Sequence, residues 1–402
     1  MNFSKRQLFF NHVGQTSPFP IALEVERAEG VYIYDTSGNK YIDMISGIAV
    51  SNLGHGNGNI VKAVQDQAAK YIHSMVYGEH VQSPQVDFAI KIAGLLPSHL
   101  NNVFYTNSGS EAVEGAMKLA KRYTGRYEII ACRNGYHGNT HGAQSLMDNE
   151  YFSQKYRPFV PGIKFIEYDN IESLELISDK TAAVITETIQ ADSGIRIASQ
   201  EFISALRKKC NETGALLVFD EIQTGFGRTG KLFAFEHYVI TPDILLIAKA
   251  MAGGMPAGAL ISDSKIMTVF TQNPILGYIS TFGGHPVSIA AAIAALDELM
   301  DLRLIEKIEA KEKLIVELLN HPAIKEIRHI GLFFAVDFGD PEIVKNVMRT
   351  AQEKGVLVDW FLFNDRSIRL APPLIITEEE IIVACKILLE AIDESSFKIT
   401  KL

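Results

Sequence analysis

Ala215-Leu216-Leu217-Val218-Phe219-Asp220-Glu221 and Ile244-Leu245-Leu246-Ile247-Ala248-Lys249 are the stretches on which the fold turns. Each is an apolar run that stops abruptly at a charged side chain. Apolar runs of this length suit strands covered on both faces, as in a parallel sheet. Similar runs occur earlier, at 103–106, 128–132 and 182–186, and helix-patterned stretches lie between them. One such helix is expected over 111–123, and a second over 200–213, which stops before Gly214 in the position of a C′ glycine. The alternation predicts an α/β fold with a mostly parallel sheet and helices on both faces.

Working outward, the alanine-rich stretch 286–300 carries Pro286 in its first turn and reads as a helix leaving the sheet. Beyond it, 304–319, 330–338, 341–354, 356–359, 367–371 and 378–392 read as helix, strand, helix, strand, strand, helix, a smaller α+β unit. Near the start, 31–35 and 40–43 flank the turn Thr36-Ser37-Gly38-Asn39 and form a hairpin suited to joining that unit. The expected division is an N-terminal segment 1–50, a large unit 51–285 and a C-terminal unit 286–402. The full 402 residues agree with two to three domains at about 150 residues each.

Composition narrows the function. With 38 basic against 47 acidic residues the net charge is −9, which offers no general footprint for nucleic acid or an anionic membrane. Cys132, Cys210 and Cys385 are too scattered for a disulfide framework or a zinc site and fit a reducing cytoplasm. The N-terminal stretch 1–11 lacks an apolar segment long enough for a secretion signal. The apolar segment 244–261 is unsuited to spanning a membrane, because Lys249 and the Gly253-Gly254 pair interrupt it. It reads as a buried strand followed by a special turn.

Ligands of an open parallel sheet gather beyond the carboxyl ends of its strands. The run at 103–106 leads into Asn107-Ser108-Gly109-Ser110, that at 182–186 into Glu187, and the last two into Asp220-Glu221 and Lys249. A lysine at a buried strand end loses hydration and becomes a nucleophilic amine. A neighbouring aspartate can stabilise a cationic ring nitrogen, as a pyridoxal phosphate site requires. The same pair also suits a plain buried Asp–Lys ion pair. Likewise Ser108-Gly109-Ser110 suits either a phosphate turn or an ordinary serine N-cap.

Two other motifs compete. Gly225-Phe226-Gly227-Arg228-Thr229-Gly230 has the dinucleotide spacing but neither an adjoining strand end nor a following helix, so it reads as a flexible loop beside the site. His137 and His141 have a helical metal-ligand spacing, but Gly138 and Gly142 argue against a helix there, and no metal is expected. Tyr136 is placed to stack on a planar cofactor or to serve the core.

Taken together, these residues resemble the class III pyridoxal-phosphate-dependent aminotransferases, the group that includes acetylornithine, ornithine and 4-aminobutyrate aminotransferases. The likeness runs from Gly47-Ile48-Ala49-Val50 to Ile368-Arg369-Leu370-Ala371-Pro372-Pro373-Leu374, and centres on 104–112 and 220–230. It implies a type I pyridoxal-phosphate fold in a homodimer with shared active sites. By that resemblance Lys249 carries the cofactor, Asp220 pairs with its pyridine nitrogen, and Gln223 approaches its phenolic oxygen. Ile222 and Tyr136 flank the ring, while Ser108, Gly109 and Ser110 hold the phosphate with Thr281 from a second subunit. His137 and Glu187 belong to the cofactor's surroundings. Arg369 is expected to hold the acceptor's α-carboxylate.

The departures concern the substrate. Asn139 stands where relatives that act on carboxylate-bearing donors place an arginine, and Asp192 stands for a longer glutamate that masks the acceptor arginine. The motifs as a whole still imply transfer of a terminal amino group from an acetylornithine- or ornithine-like donor to 2-oxoglutarate, against the departure at Asn139. Another ω-amino acid or a diamine is the alternative donor, and a nicotinamide oxidoreductase is a distant alternative.

Overall fold

Seven strands form the central sheet: β1 (Asn102–Thr106), β2 (Glu128–Cys132), β3 (Ile163–Ile166), β4 (Thr181–Glu187), β5 (Leu216–Asp220), β6 (Ile244–Ala248) and β7 (Gly258–Ser262). The computed structural model describes residues 3–399; residues 1–2 and 400–402, the tips of the N-terminal and C-terminal segments, lie outside the described residues. The strand order is β1-β7-β6-β5-β4-β2-β3, parallel except that β7 runs against both its neighbours. Side chains alternate between two buried faces. Val218 and Leu246 pack with Val113, Ala116 and Ala120 of helix α1 (Gly109–Thr124), whereas Leu217, Phe219, Leu245 and Ile247 pack with Phe202, Ile203 and Leu206 of helix α2 (Gln200–Thr213). Each such side chain contributes about 1.5–3 kcal/mol by leaving water. This two-sided burial is why the strands carry continuous apolar sequence.

Register brings the functional residues to one rim. Asp220 lies opposite Glu187 on β4 and Leu246 on β6, and Gly258 of β7 lies opposite both Ala248 and Thr106. A Cβ on Gly258 would come within 2.5 Å of the Ser108 carbonyl, so glycine is what lets the turn after β1 settle against β7.

Two further sheets carry the ends of the chain. In one, Val25–Glu29, Tyr32–Asp35 and Lys40–Asp43 form an antiparallel meander, and Val356–Leu357 adds to Lys40–Asp43 in parallel. The other is antiparallel, in the order Glu326–His329, Phe334–Asp337, Ser367–Leu370, Asp359–Trp360.

Several elements differ from their sequence reading. The segment 244–261 contains two antiparallel strands, not one, joined through the turn that begins at Lys249. β3 escaped the pattern because this edge strand alternates between exposed and covered positions. The strand expected over 330–338 is a hairpin broken at Gly331 (φ +57), whose missing Cβ would fall 2.5 Å from the Thr229 carbonyl carbon. The strand expected over 356–359 is divided between the two smaller sheets. The 225–230 loop, expected to be flexible, is packed. Arg228 is fully buried and donates to the Leu332 and Pro372 carbonyls, both at 2.7 Å, and to Asn52 Oδ1 at 2.5 Å.

Candidate active site

β6 ends at Ala248, and Lys249 opens the 3-10 turn Lys249–Ala252 with φ +51. A left-handed conformation costs a residue with a side chain about 1–3 kcal/mol and persists only where the surroundings impose it. Here the turn aims the side chain into a cavity of about 380 Å³, within the size range of small-molecule sites. The Lys249 amine donates to Gln223 Oε1 at 3.2 Å. Burial pulls that amine below its ordinary value of 10.5; Arg369 adds to the effect, while Asp192, Asp220 and Glu187 oppose it. A larger neutral fraction leaves more of it available as a nucleophile and as a proton acceptor.

Beside it, Asp220 closes β5. Its Oδ2 lies 2.8 Å from His137 Nδ1, and its Oδ1 accepts from the Ile222 amide at 3.1 Å. Burial pushes the imidazole of His137 toward the neutral form, but the hydrogen bond and charge of Asp220, helped by Glu187, outweigh it and raise its pKa. Glu187, at the end of β4, accepts from the amides of Tyr136 at 2.9 Å and Ala191 at 3.0 Å. Burial raises its carboxyl to about 7.

The third part of the rim is the start of α1. Ser108 is indeed an N-cap, its Oγ accepting from the Glu111 amide at 3.3 Å. Capping leaves the first helical N–H groups, those of Gly109 and Ser110, without intrahelical acceptors, and the helix dipole adds positive potential there. The N-cap reading therefore holds, and the cap leaves free the donors that a phosphate turn would need. A Cβ on Gly109 would meet Ile222 Cδ1 at 2.8 Å, so glycine lets Ile222 come down over the turn.

These residues suit pyridoxal phosphate. Ser108, Gly109, Ser110, Tyr136, His137, Glu187, Asp220, Ile222, Gln223 and Lys249 all line the one cavity. Gln223 Nε2 within it is buried and lacks a hydrogen-bond partner, which leaves a donor available for a ligand oxygen. Helix start, carboxylate and amine match the phosphate, ring nitrogen and aldehyde of that cofactor.

Arg369 occupies Ser367–Leu370 and is buried. Asp192 Oδ1 lies 3.2 Å from its Nη1, so the shorter acid still reaches the arginine. Its Nη2 donates to Asp359 Oδ2 at 2.8 Å and to the Trp360 carbonyl at 3.0 Å. Asp359 follows directly on the apolar Val356-Leu357-Val358, and only the strand register brings it to Arg369.

Four expected residues lie outside the cavity lining. Arg369 and Asp192 are buried and paired with each other, whereas Asn139 and Thr281 are exposed. Thr281 was expected to serve another subunit's site, whereas Asn139 was expected at this one, and its exposure on the Gly138-Asn139 turn separates it from the cavity. The paired histidines also diverge: His137 binds Asp220, and His141 binds the Pro158 carbonyl at 2.7 Å. Met255 and Pro256, which line the cavity, and Phe363, with its ring 6.4 Å from that of Tyr136, were not anticipated.

Comparison with known proteins agrees with this geometry. The family description "Aminotransferase class-III" matches residues 14–392. The acetylornithine aminotransferase of Methanopyrus kandleri is 39% identical over 389 residues, covering 96% of this chain and 97% of that protein. A putrescine aminotransferase of Pectobacterium atrosepticum is 36% identical, covering 90% of this chain and 80% of that protein. Among solved structures, the ornithine aminotransferase of Toxoplasma gondii, described with pyridoxal phosphate at its active site, superposes with a TM-score of 0.90 at 28% identity, covering 97% of this chain and 94% of that one. The chain belongs to the class III aminotransferases and is a pyridoxal-phosphate-dependent transaminase of fold type I.

Proposed function

We propose that the enzyme moves the terminal amino group of an ω-amino acid related to acetylornithine or ornithine to 2-oxoglutarate. The observation that carries the chemistry is the desolvated Lys249 amine, 3.2 Å from Gln223, in the cavity bounded by Asp220 and the start of α1. The donor class is supported by the likeness to acetylornithine aminotransferases.

When bound, pyridoxal phosphate supplies an aldehyde that takes up the amino group and a ring that accepts the electron pair left by a departing proton. Lys249 would hold that aldehyde, and its desolvated Nζ would move a proton at the substrate carbon. Asp220 would pair with the ring nitrogen, and His137, its Nδ1 2.8 Å from Oδ2, would orient that carboxylate. Gln223 hydrogen-bonds the phenolic oxygen, Ile222 and Tyr136 confine the ring, and Glu187 fixes Tyr136 through its amide. Ser108, Gly109 and Ser110 hold the phosphate, joined by Thr281 of a second subunit in a homodimer. Arg369 takes the keto acid's α-carboxylate when Asp192 moves aside. The buried free thiols of Cys132, Cys210 and Cys385 support a cytoplasmic setting.

A diamine donor is the second reading. It is favoured by Asn139, which is uncharged and exposed where relatives acting on carboxylate donors place an arginine, and by the likeness to a putrescine aminotransferase. The test is a panel of N-acetylornithine, ornithine, 4-aminobutyrate and putrescine with 2-oxoglutarate, scored by glutamate formed. N-acetylornithine or ornithine should give the highest kcat/KM; putrescine in first place would replace the donor assignment.

A further inference from the structure

Arg369 is held by two carboxylates that come from differently built parts of the fold. Asp359 lies on the edge strand Asp359–Trp360, directly opposite Arg369 in the antiparallel register. Directly opposed residues project on the same face, so the pairing is fixed by the sheet itself. The same two-residue strand supplies both acceptors of Nη2, Asp359 Oδ2 at 2.8 Å and the Trp360 carbonyl at 3.0 Å. The guanidinium also lies 5.1 Å from the centre of the Phe361 ring.

Asp192 is placed otherwise. It belongs to the turn between Ile189–Gln190 and Arg196–Ile197 and makes a single contact with Nη1, at 3.2 Å. Arg369 Nε is buried without a partner, so the guanidinium retains unused donor capacity.

We propose that Asp359 is a positioning residue for the acceptor half of the reaction, holding Arg369 in place and charge-compensated while Asp192 gives way to the keto acid's carboxylate. The inference rests on the reading of Arg369 as that carboxylate's partner. A buried arginine stripped of every anion is strongly unfavourable. With Asp359 fixed on Nη2, Arg369 keeps a counter-charge throughout the exchange at Nη1, and one carboxylate replaces another. Without Asp359, release of Asp192 leaves a buried, unpaired and rotationally freer guanidinium. The donor half of the reaction makes no demand on this exchange.

The test uses the holoenzyme and its variants Asp359→Ala and Asp359→Asn. The KM for 2-oxoglutarate is measured at saturating donor, and the donor half-reaction is followed separately as the single-turnover loss of the cofactor's visible band without acceptor. Asp359→Ala should raise the acceptor KM by about tenfold to a hundredfold, the loss of a charge-assisted hydrogen bond, and slow the donor half-reaction by less than about twofold. Asp359→Asn, which keeps an oxygen acceptor for Nη2 but removes the counter-charge, should recover only part of the loss, and full recovery would overturn the counter-charge role. Asp359→Ser, too short to reach Nη2, carries the same expectation as alanine and serves if Asp359→Ala does not fold. An unchanged acceptor KM, or equal slowing of both halves, overturns the proposal. Arg369→Lys separates the two layers: if it leaves the acceptor KM unchanged, the reading of Arg369 fails, whereas a raised KM there with a silent Asp359 overturns only the role of Asp359.

Discussion

His137 Nδ1 and Asp220 Oδ2 stand 2.8 Å apart, both side chains buried beside the carboxyl end of β5. The hydrogen bond and charge of Asp220 raise the pKa of the imidazole against the effect of burial, so the two side chains are coupled in a water-poor site. Asp220→Asn should therefore lower kcat by at least about a hundredfold, the scale of losing one electrostatic stabiliser in such a site. His137→Phe should cost less, about tenfold, because the carboxylate remains but loses its support. Steady-state kinetics with saturating cofactor check both, and equal losses would mean that His137 does more than support Asp220.

Gly138 is a second sensitive point. It has φ +117, and an added Cβ would lie 2.1 Å from Ser110 Oγ and 3.1 Å from Ser110 Cα. Gly138→Ala should destabilise the protein by about 2–4 kcal/mol through combined strain and overpacking. Because the displaced atoms belong to the turn proposed to hold the phosphate, affinity for pyridoxal phosphate should fall as well. Denaturant unfolding together with a cofactor titration tests both effects.

Glu221 gives a pH prediction. Burial raises its carboxyl from 4.5 to about 7, although Thr188, Thr224 and the amides of Ala234 and Phe235 all donate to it. The folded chain thus holds this proton through a window in which the unfolded chain has released it. Its contribution is fully present below about 4.5 and is lost as pH rises through about 7. Glu187, also raised to about 7, acts with the same sign. In cofactor-free Glu221→Gln, unfolding free energy should fall less steeply between pH 5 and 7 than in the parent, by about the width of one titration. Equal slopes would contradict the assignment.

Removing the other acid on Arg369 should have the opposite sense to removing Asp359. Asp192→Ala takes away the group proposed to compete with the keto acid for Nη1, 3.2 Å distant, and leaves Asp359 in place. The KM for 2-oxoglutarate should fall by about threefold to tenfold, on the scale of a close charge pair. Initial rates over a range of acceptor concentrations test this, and a raised KM would mean that Asp192 does not compete for the arginine.

The large unit was legible because burial on both faces writes strands as unbroken apolar runs and strand ends as sudden charges. Lys249, Asp220 and Glu187 are all such endings, and all three line one cavity. Two strands of the same sheet were less visible. β3 mixes the exposed Lys164 with covered Ile163 and Phe165, and β7 was hidden by its apolar continuity with the Lys249 turn. Asp359 could not be tied to Arg369 from sequence, since their contact depends on an antiparallel register across a loop. Asn139 and Thr281 entered through family resemblance alone, and within a single chain both are exposed.

The most direct test of the central claim is to reduce the holoenzyme with borohydride, digest it, and locate the retained cofactor by mass spectrometry. The account predicts loss of the visible band and a phosphopyridoxyl group on Lys249 alone, with no transamination by Lys249→Ala. Cofactor attached to a different lysine, or none retained by a protein that still transaminates, would contradict it.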